Sequence, residues 1–171
     1  ATTADYSMVY MTDCADFEWD RILELQRLSI TKPRFVEEEL KSEAGNVRNE
    51  LNGYLNNHMW VLWSKMAQVL GEDVLTWQER IKTINNVSVA DIKEHYKRTH
   101  TLQNMRFVIA GDTKHRESQI INMLESWELP EGERLSIPVD ELHRAEPLII
   151  KRKEATNFTF GWSMVVPRRL S

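Results

Sequence analysis

Cysteine is nearly absent from the sequence, which contains only Cys14. One cysteine excludes an internal disulfide framework and a zinc site built from cysteines, and it is compatible with a reducing compartment. No run of about 18 apolar residues occurs, so we predict no membrane-spanning helix. The N-terminus shows no charged segment followed by an apolar one, the pattern typical of secretory signals. These absences favour a soluble protein and, to a lesser degree, a cytoplasmic one.

Basic charge is not in excess. The chain has 22 Lys and Arg residues against 26 Asp and Glu residues, a formal net charge of -4, with both signs interspersed along the sequence. Proteins that bind nucleic acid or anionic membranes usually carry a basic patch or stripe, so we expect neither as a partner. A glycine-rich phosphate loop is also missing, and we therefore expect no nucleotide site.

The composition, 42% hydrophobic and 28% charged, is that of a globular protein, and 171 residues are enough to bury a core. The start at Ala1, without an initiator methionine, is what we expect of a segment of a longer protein. Hydrophobic periodicity and turn residues predict helices among short strands, and hence an α+β fold. The predicted helices run from Asp13 or Asp16 to about 29 and over 34–57, 57–70, 74–84, 88–98 and 115–127; the predicted strands cover 3–11, 105–110, 148–151 and 158–166.

The longest predicted helix carries an unusual stripe of side chains. Residues at alternating spacings of four and three share one face of a helix. Two carboxylates therefore interrupt an otherwise apolar seam, and a carboxylate removed from water needs a cation, a metal ion or a set of donors. The stripe consists of Val36, Leu40, Glu43, Val47, Glu50 and Tyr54.

Spacing alone leaves two interpretations of Glu43 and Glu50. In the first, the stripe meets a basic neighbouring element or is exposed to solvent, as charged residues on helix seams often are. In the second, one glutamate is a metal ligand and the other supports it.

Several stretches, taken in order, resemble motifs of one peptidase family. EAGNVRNE, residues 43–50, is similar to a distal glutamate motif in which two glutamates seven residues apart share a helix around a valine, and ITKPRFVEEEL, residues 30–40, resembles the NPRF entry into that helix. VSVADIKEHY, residues 87–96, and QNMRFVIAGD, residues 103–112, are similar to T-x-x-D-L-x-x-F/Y and N-M-x-L-V-V-x-G-D. The opening ATTADYSMVY is similar to a strand of the form N-A-x-T-x-x-D-x-T-x-Y. The chain thus resembles the pitrilysin, insulinase and mitochondrial processing peptidase family of zinc metallopeptidases, the inverzincins.

The resemblance implies that Glu50 is the third zinc ligand and that Glu43 is a supporting carboxylate near the metal. The family's other ligands are two histidines of an H-x-x-E-H motif, which also holds the general base and which the family places upstream of the opening strand. We therefore expect zinc in the parent protein and no peptidase activity from this chain alone. No such motif occurs among the histidines of the chain, which are His58, His95, His100, His115 and His143.

The resemblance also implies an architecture, namely helices packed on a mostly antiparallel sheet, with two similar α+β halves that close around a peptide. Residues 1–132 are then the later portion of a first half, 133–147 a connector, and 148–171 the opening strands of a following half. The expected partners are a peptide or unfolded polypeptide as substrate, and the remaining part of the same protein or a homologous subunit. Two alternatives remain open, a non-catalytic scaffold or partner subunit of the same fold and an unrelated α+β domain whose glutamates meet Arg or Lys.

Overall fold

The computed structural model of the chain describes residues 1–4, 6–137, 139, 141–143, 145–153 and 155–164. Within these residues the protein is mostly helical, with one small two-stranded antiparallel sheet. The predicted α+β class is therefore confirmed in its broad form, with more helix than sheet. The elements are β1 (Thr2–Thr3), β2 (Met8–Val9), α1 (Trp19–Thr31), α2 (Glu37–Asn56), α3 (His58–Val69), α4 (Trp77–Thr83), α5 (Val89–Thr99) and α6 (Glu117–Glu125).

The chain forms two compact units, and each combines two separate stretches of sequence. The first unit contains the described residues of Ala1–Val36 and of Val89–Ile137. The second contains Glu37–Ser88 and the described residues of Pro138–Ser171. The expected division at 132 and 147 concerns the halves of a parent protein, and it stays a prediction.

The core of the first unit lies where the end of α1 meets the segment after α6. Ile30, Trp127 and Leu129 are buried there. The ring of Phe107 meets Trp127 edge-on, with 4.9 Å between ring centroids. This aromatic contact holds the segment after α5 against the core. Partly buried apolar side chains complete the cluster, namely Leu23, Met105 and Leu124.

The first helix differs from its prediction at its start and in its inward face. Asp16 does not cap α1, because residues Asp16–Glu18 form a 3-10 turn and the Asp16 carboxylate binds Arg116, whose Nη2 lies 2.7 Å from Oδ2. Hydrogen bonding to this guanidinium lowers the pKa of the Asp16 carboxyl. Hydrophobic spacing predicts an inward face that includes Phe17, Leu25 and Leu28, but these three side chains are exposed. Ile30 supplies the buried contact, so the helix buries its C-terminal end and not its whole length.

The predicted strand over residues 3–11 is instead a short hairpin. Thr2 pairs with Val9 and Thr3 with Met8 in an antiparallel register. The amide of Ala4 donates to the carbonyl of Ser7 at 2.8 Å and closes the turn. The chain therefore folds back on itself where alternation alone predicted one continuous strand.

The other strand predictions are not met within the described residues. Residues 105–110, 148–151 and 158–164 form no strand there, and residues 165 and 166 of the last prediction lie outside the described chain. Their composition suits a strand, but a strand also requires a ladder partner, and the described residues supply none. Val108 and Phe158 are consequently each 91% exposed.

The second unit is built on α2, which contacts both α3 and α4. Asn57 forms the single-residue joint between α2 and α3, and its Oδ1 accepts hydrogen bonds from the amides of Met59 at 2.9 Å and Trp60 at 3.3 Å. A capping box starts α4, in which Thr76 and Glu79 satisfy each other's backbone amides. Side-chain capping thus fixes the residues at which α3 and α4 begin.

Gly71 follows the end of α3, next to the predicted helix end at residue 70, in a conformation that favours glycine. Its φ is 93°, its amide donates to Gln68 O at 3.1 Å, and the amide of Glu72 donates to Ala67 O at 3.1 Å, the two bonds of a Schellman motif. A Cβ at Gly71 meets the carbonyl oxygen of Glu141 at 2.6 Å. A glycine inside a predicted helix indicates close approach by a neighbour, and for Gly45 this prediction is wrong, because a Cβ there meets no described atom within 4 Å.

These two glycines make a matched pair of stability tests. We expect Gly71→Ala to lower the free energy of unfolding by roughly 1–3 kcal/mol, because it adds left-handed strain and a clash. Gly45→Ala lies inside α2 with open space, so we expect it to raise the free energy of unfolding by about 0.5–1 kcal/mol. Urea unfolding followed by circular dichroism measures both. Equal effects of the two substitutions would contradict the structure.

His100, directly after α5, contacts Tyr10 of the N-terminal region within the first unit. His100 Nε2 lies 2.8 Å from the Tyr10 hydroxyl, and its Nδ1 lies 2.9 Å from Thr99 Oγ1. The Tyr96 ring stacks on the imidazole at 4.5 Å between centroids. Burial, with a smaller contribution from the charge of His95, lowers the pKa of His100 below its usual 6.5.

We predict that His100 makes the free energy of unfolding depend on pH. Because the folded protein holds the His100 pKa below its unfolded value, the unfolded state binds more protons as the pH falls through about 6.5. The stabilisation by neutral His100 is fully present above that pH and decreases below it. Urea unfolding of the protein and of His100→Gln at pH 7.5 and 5.5 tests this, and the difference between the two proteins shrinks at the lower pH. A difference that is the same at both pH values rejects the prediction.

Candidate functional site

The two glutamates of the predicted stripe both lie on α2, so the helix itself is confirmed. Both Glu43 and Glu50 are exposed, while Val47 between them is partly buried. Neither carboxylate forms an ion pair with Lys or Arg among the described residues. The described chain therefore does not remove them from water, and both remain available to a ligand from outside it.

The two glutamates lie two helical turns apart on one face of α2. Seven residues of α-helix span about 10 Å along the axis. Glu43 Oε2 accepts a hydrogen bond from Asn46 Nδ2 at 3.1 Å. Glu43 thus has a hydrogen-bond partner on its own helix.

Glu50 is oriented by the residue one helical turn later. The Tyr54 hydroxyl donates a hydrogen bond to Glu50 Oε1, an i,i+4 contact on one face of α2. Because the bonded carboxylate favours the protonated hydroxyl, this contact raises the pKa of Tyr54 above its usual 10.0. Glu50 Oε2 accepts no hydrogen bond among the described residues. The carboxylate thus has one oxygen held by a donor and one oxygen open.

Tyr54 is held in turn by two tryptophans from neighbouring helices. Its ring centroid lies 5.3 Å from that of Trp60 on α3 and 5.0 Å from that of Trp77 at the start of α4. Trp77 Nε1 also donates to the carbonyl of Trp60 at 3.4 Å. The guanidinium of Arg80 lies 5.1 Å from the Trp77 ring centroid in a cation–π contact. We call Tyr54, Trp60 and Trp77 the aromatic cluster.

The described residues do not assemble a complete metal site. Among them, no three His, Cys, Asp or Glu side chains lie close enough together to hold a metal ion. Glu50 supplies one carboxylate of the kind that zinc accepts, whereas a catalytic zinc site needs three protein ligands. Any zinc site that includes Glu50 must be completed by residues outside the described chain.

Comparison of the chain with protein-family models, with curated proteins and with solved structures found no match. The resemblance to the inverzincins therefore depends on the motifs in residues 1–10, 30–50 and 87–112 alone. Within the described residues, no helix combines the length and apolar character needed to cross a membrane.

The aromatic cluster is a feature of the site that the sequence does not predict. Tyr54 stands in the predicted stripe, and its spacing of four from Glu50 is a signal from which the hydrogen bond can be inferred. No sequence signal points to Trp60 and Trp77, because they meet Tyr54 only through the packing of three helices.

We predict that Glu50, and not Glu43, controls the ionisation of Tyr54. Glu50→Gln removes the charged acceptor, so we expect the pKa of Tyr54 to move down toward 10.0. Glu43→Gln lies on the same helix and is the matched control, for which we expect no change. Absorbance at about 295 nm during an alkaline titration of each variant, minus that of the parent chain, measures the shift. Identical difference curves for the two variants would rule out the Glu50–Tyr54 contact.

Proposed function

We propose that the chain is a segment of a zinc-dependent metalloendopeptidase that hydrolyses peptides or unfolded polypeptides, and that Glu50 contributes the distal zinc ligand. The observation that supports this most is the Glu50 carboxylate itself, which is exposed on a helix with one oxygen held by Tyr54 and the other open. Metal-ligating carboxylates usually have such a hydrogen-bonding partner. The Glu43 and Glu50 motif supplies the reason to choose zinc and peptide hydrolysis.

The residues of this chain have positioning roles in the proposed site. Tyr54 orients the Glu50 carboxylate, and Trp60 and Trp77 restrict the tyrosine ring. Glu43, two helical turns away, adds negative charge that favours a cation at Glu50. When bound, zinc lowers the pKa of a water and polarises the scissile carbonyl. The chain contains no H-x-x-E-H motif and hence no general base of that type, so it is inactive alone.

The remaining ligands come, in this proposal, from the rest of the same protein or from a homologous subunit. Exposed apolar segments support such a partner, since soluble proteins rarely leave contiguous apolar surface uncovered. Ile149 is 79% exposed, Val108 91% and Phe158 91%. In the assembled fold, residues 105–110 pair with strands outside the described chain, which supply the ladder partners that the described residues lack.

A non-catalytic scaffold subunit of the same fold is the second candidate. The same exposed segments favour it, because any subunit of an assembly needs a covered apolar face. The oriented carboxylate of Glu50 distinguishes the two, since a subunit that holds no metal has no need of it. Zinc content of the purified parent assembly therefore decides between them.

Substitutions in the parent protein test the zinc assignment. We expect Glu50→Gln to lower zinc affinity by more than about 100-fold and to abolish peptide cleavage, because it removes a ligand. Tyr54→Phe keeps the ligand and loses its orienting donor, so we expect about a tenfold loss of zinc affinity. Competition with a chromogenic chelator measures affinity, and circular dichroism verifies the fold. Unchanged zinc affinity in Glu50→Gln would refute the assignment.

A further inference from the structure

The second unit contains a groove of about 590 Å³ that lies apart from the glutamates. Its lining comes from the end of α2, from α3, from α4 and from the later segment 148–152. Its volume is within the range of protein sites for small ligands and short peptides, about 300–1,000 Å³. We call it the basic groove, and its lining residues are Leu55, Asn56, Val61, Lys65, Gln78, Leu148, Ile149, Ile150, Lys151 and Arg152.

The segment that forms one side of the basic groove is tied to the helices. Arg152 Nη1 donates to the carbonyl of Leu55 at 2.8 Å, where α2 has carbonyl groups without helical partners. Further along, a Cβ at Gly161 lies 3.2 Å from Leu62 Cδ2 and 3.4 Å from Met66 Sδ. His143 donates its amide to Leu70 O at 3.0 Å before the segment begins. Contacts on both sides of residues 148–152 therefore hold this side in place.

The chemistry of the lining is of three kinds. Leu55, Val61 and the apolar residues of 148–150 offer a surface for apolar side chains. The amides of Asn56 and Gln78 each donate and accept hydrogen bonds, as a peptide group requires. Three further residues, Lys65, Lys151 and Arg152, carry positive charge, and the described lining residues include no acid.

One acid, Glu79, offsets part of the positive charge of the groove. Its carboxylate attracts Lys65 but lies outside the described lining, and its Oε2 accepts hydrogen bonds from the Thr76 amide at 2.7 Å and hydroxyl at 2.6 Å. Lys65 Nζ has a neutral partner in the Gln68 amide oxygen at 3.3 Å. The groove thus keeps a surplus of positive charge beside an apolar floor.

We propose that the basic groove binds the C-terminal end of a peptide with apolar final residues. The apolar side chains contact Leu55, Val61 and Ile150, the amides of Asn56 and Gln78 pair with peptide groups, and the basic side chains take the terminal carboxylate. A fatty acid offers the same apolar and anionic parts but has no peptide groups for the two amides. The proposal does not depend on the zinc site, since Glu43, Glu50 and Tyr54 are not part of this lining.

A pair of probes that differ only at the terminal group tests the site in the complete chain. Fluorescein-labelled Gly-Ala-Ala-Leu-Val is prepared with a free carboxylate and with a C-terminal amide, and binding is followed by fluorescence anisotropy. We expect the carboxylate form to bind about tenfold more tightly, because charge-assisted hydrogen bonds to the carboxylate are lost in the amide. The combined variant Lys65→Gln and Lys151→Gln removes this preference. Lys82→Gln, an exposed lysine of α4 outside the lining, retains it.

Each other outcome overturns the proposal. Equal binding of the two peptides, or binding of neither, shows that the groove does not recognise a terminal carboxylate. An equal loss in Lys82→Gln assigns the effect to overall charge and not to this groove. Displacement of the peptide by laurate at concentrations well below the peptide's own Kd identifies a lipid site. Circular dichroism and the urea midpoint of each variant show whether a loss of binding comes from unfolding.

Discussion

The contact of three helices at the aromatic cluster is the interaction on which the second unit depends. Tyr54 lies near the end of α2, and Trp60 and Trp77 lie near the starts of α3 and α4. Because Asn57 caps α3 directly after α2 ends, the chain turns within one residue, and the first turn of α3 returns to the Tyr54 ring. Aromatic side chains prefer tilted or edge-on contacts, as found here. The orientation of Glu50 follows from this packing, since its donor belongs to the cluster.

Two features of the second unit carry opposite charge. The exposed carboxylates of Glu43 and Glu50 lie on α2, whereas the described lining of the basic groove has cationic side chains and no acid. Neither feature can be inferred from the net charge of -4, because positive and negative surfaces cancel in the sum. A weakly acidic protein can thus present one surface suited to a cation and another suited to an anion.

Helices were predicted well because their signals are local. The 3.6-residue period lies within each helix, Pro33 lies between α1 and α2, and Gly71 follows α3, and both α2 and α3 lie close to their predicted bounds. Strands were predicted less well. Residues 105–110 have a suitable composition, but pairing is a property of two segments, and one segment does not reveal whether its partner is present. The inward face predicted for α1 was wrong for a similar reason, since Leu25 is exposed although its spacing suits such a face.

The sequence by itself determined the class of the protein, the positions of its main helices and the presence of two glutamates on one face of α2. These follow from periodicity, composition and turn residues, which act over a few positions. Only the tertiary structure decided that the glutamates are exposed, that Tyr54 orients Glu50 and that residues 148–152 meet α2 and α3 in a basic groove. Leu55 and Arg152 are 97 positions apart along the chain yet form a hydrogen bond of 2.8 Å. Such contacts depend on the packing of whole elements, whose buried surface no local pattern encodes.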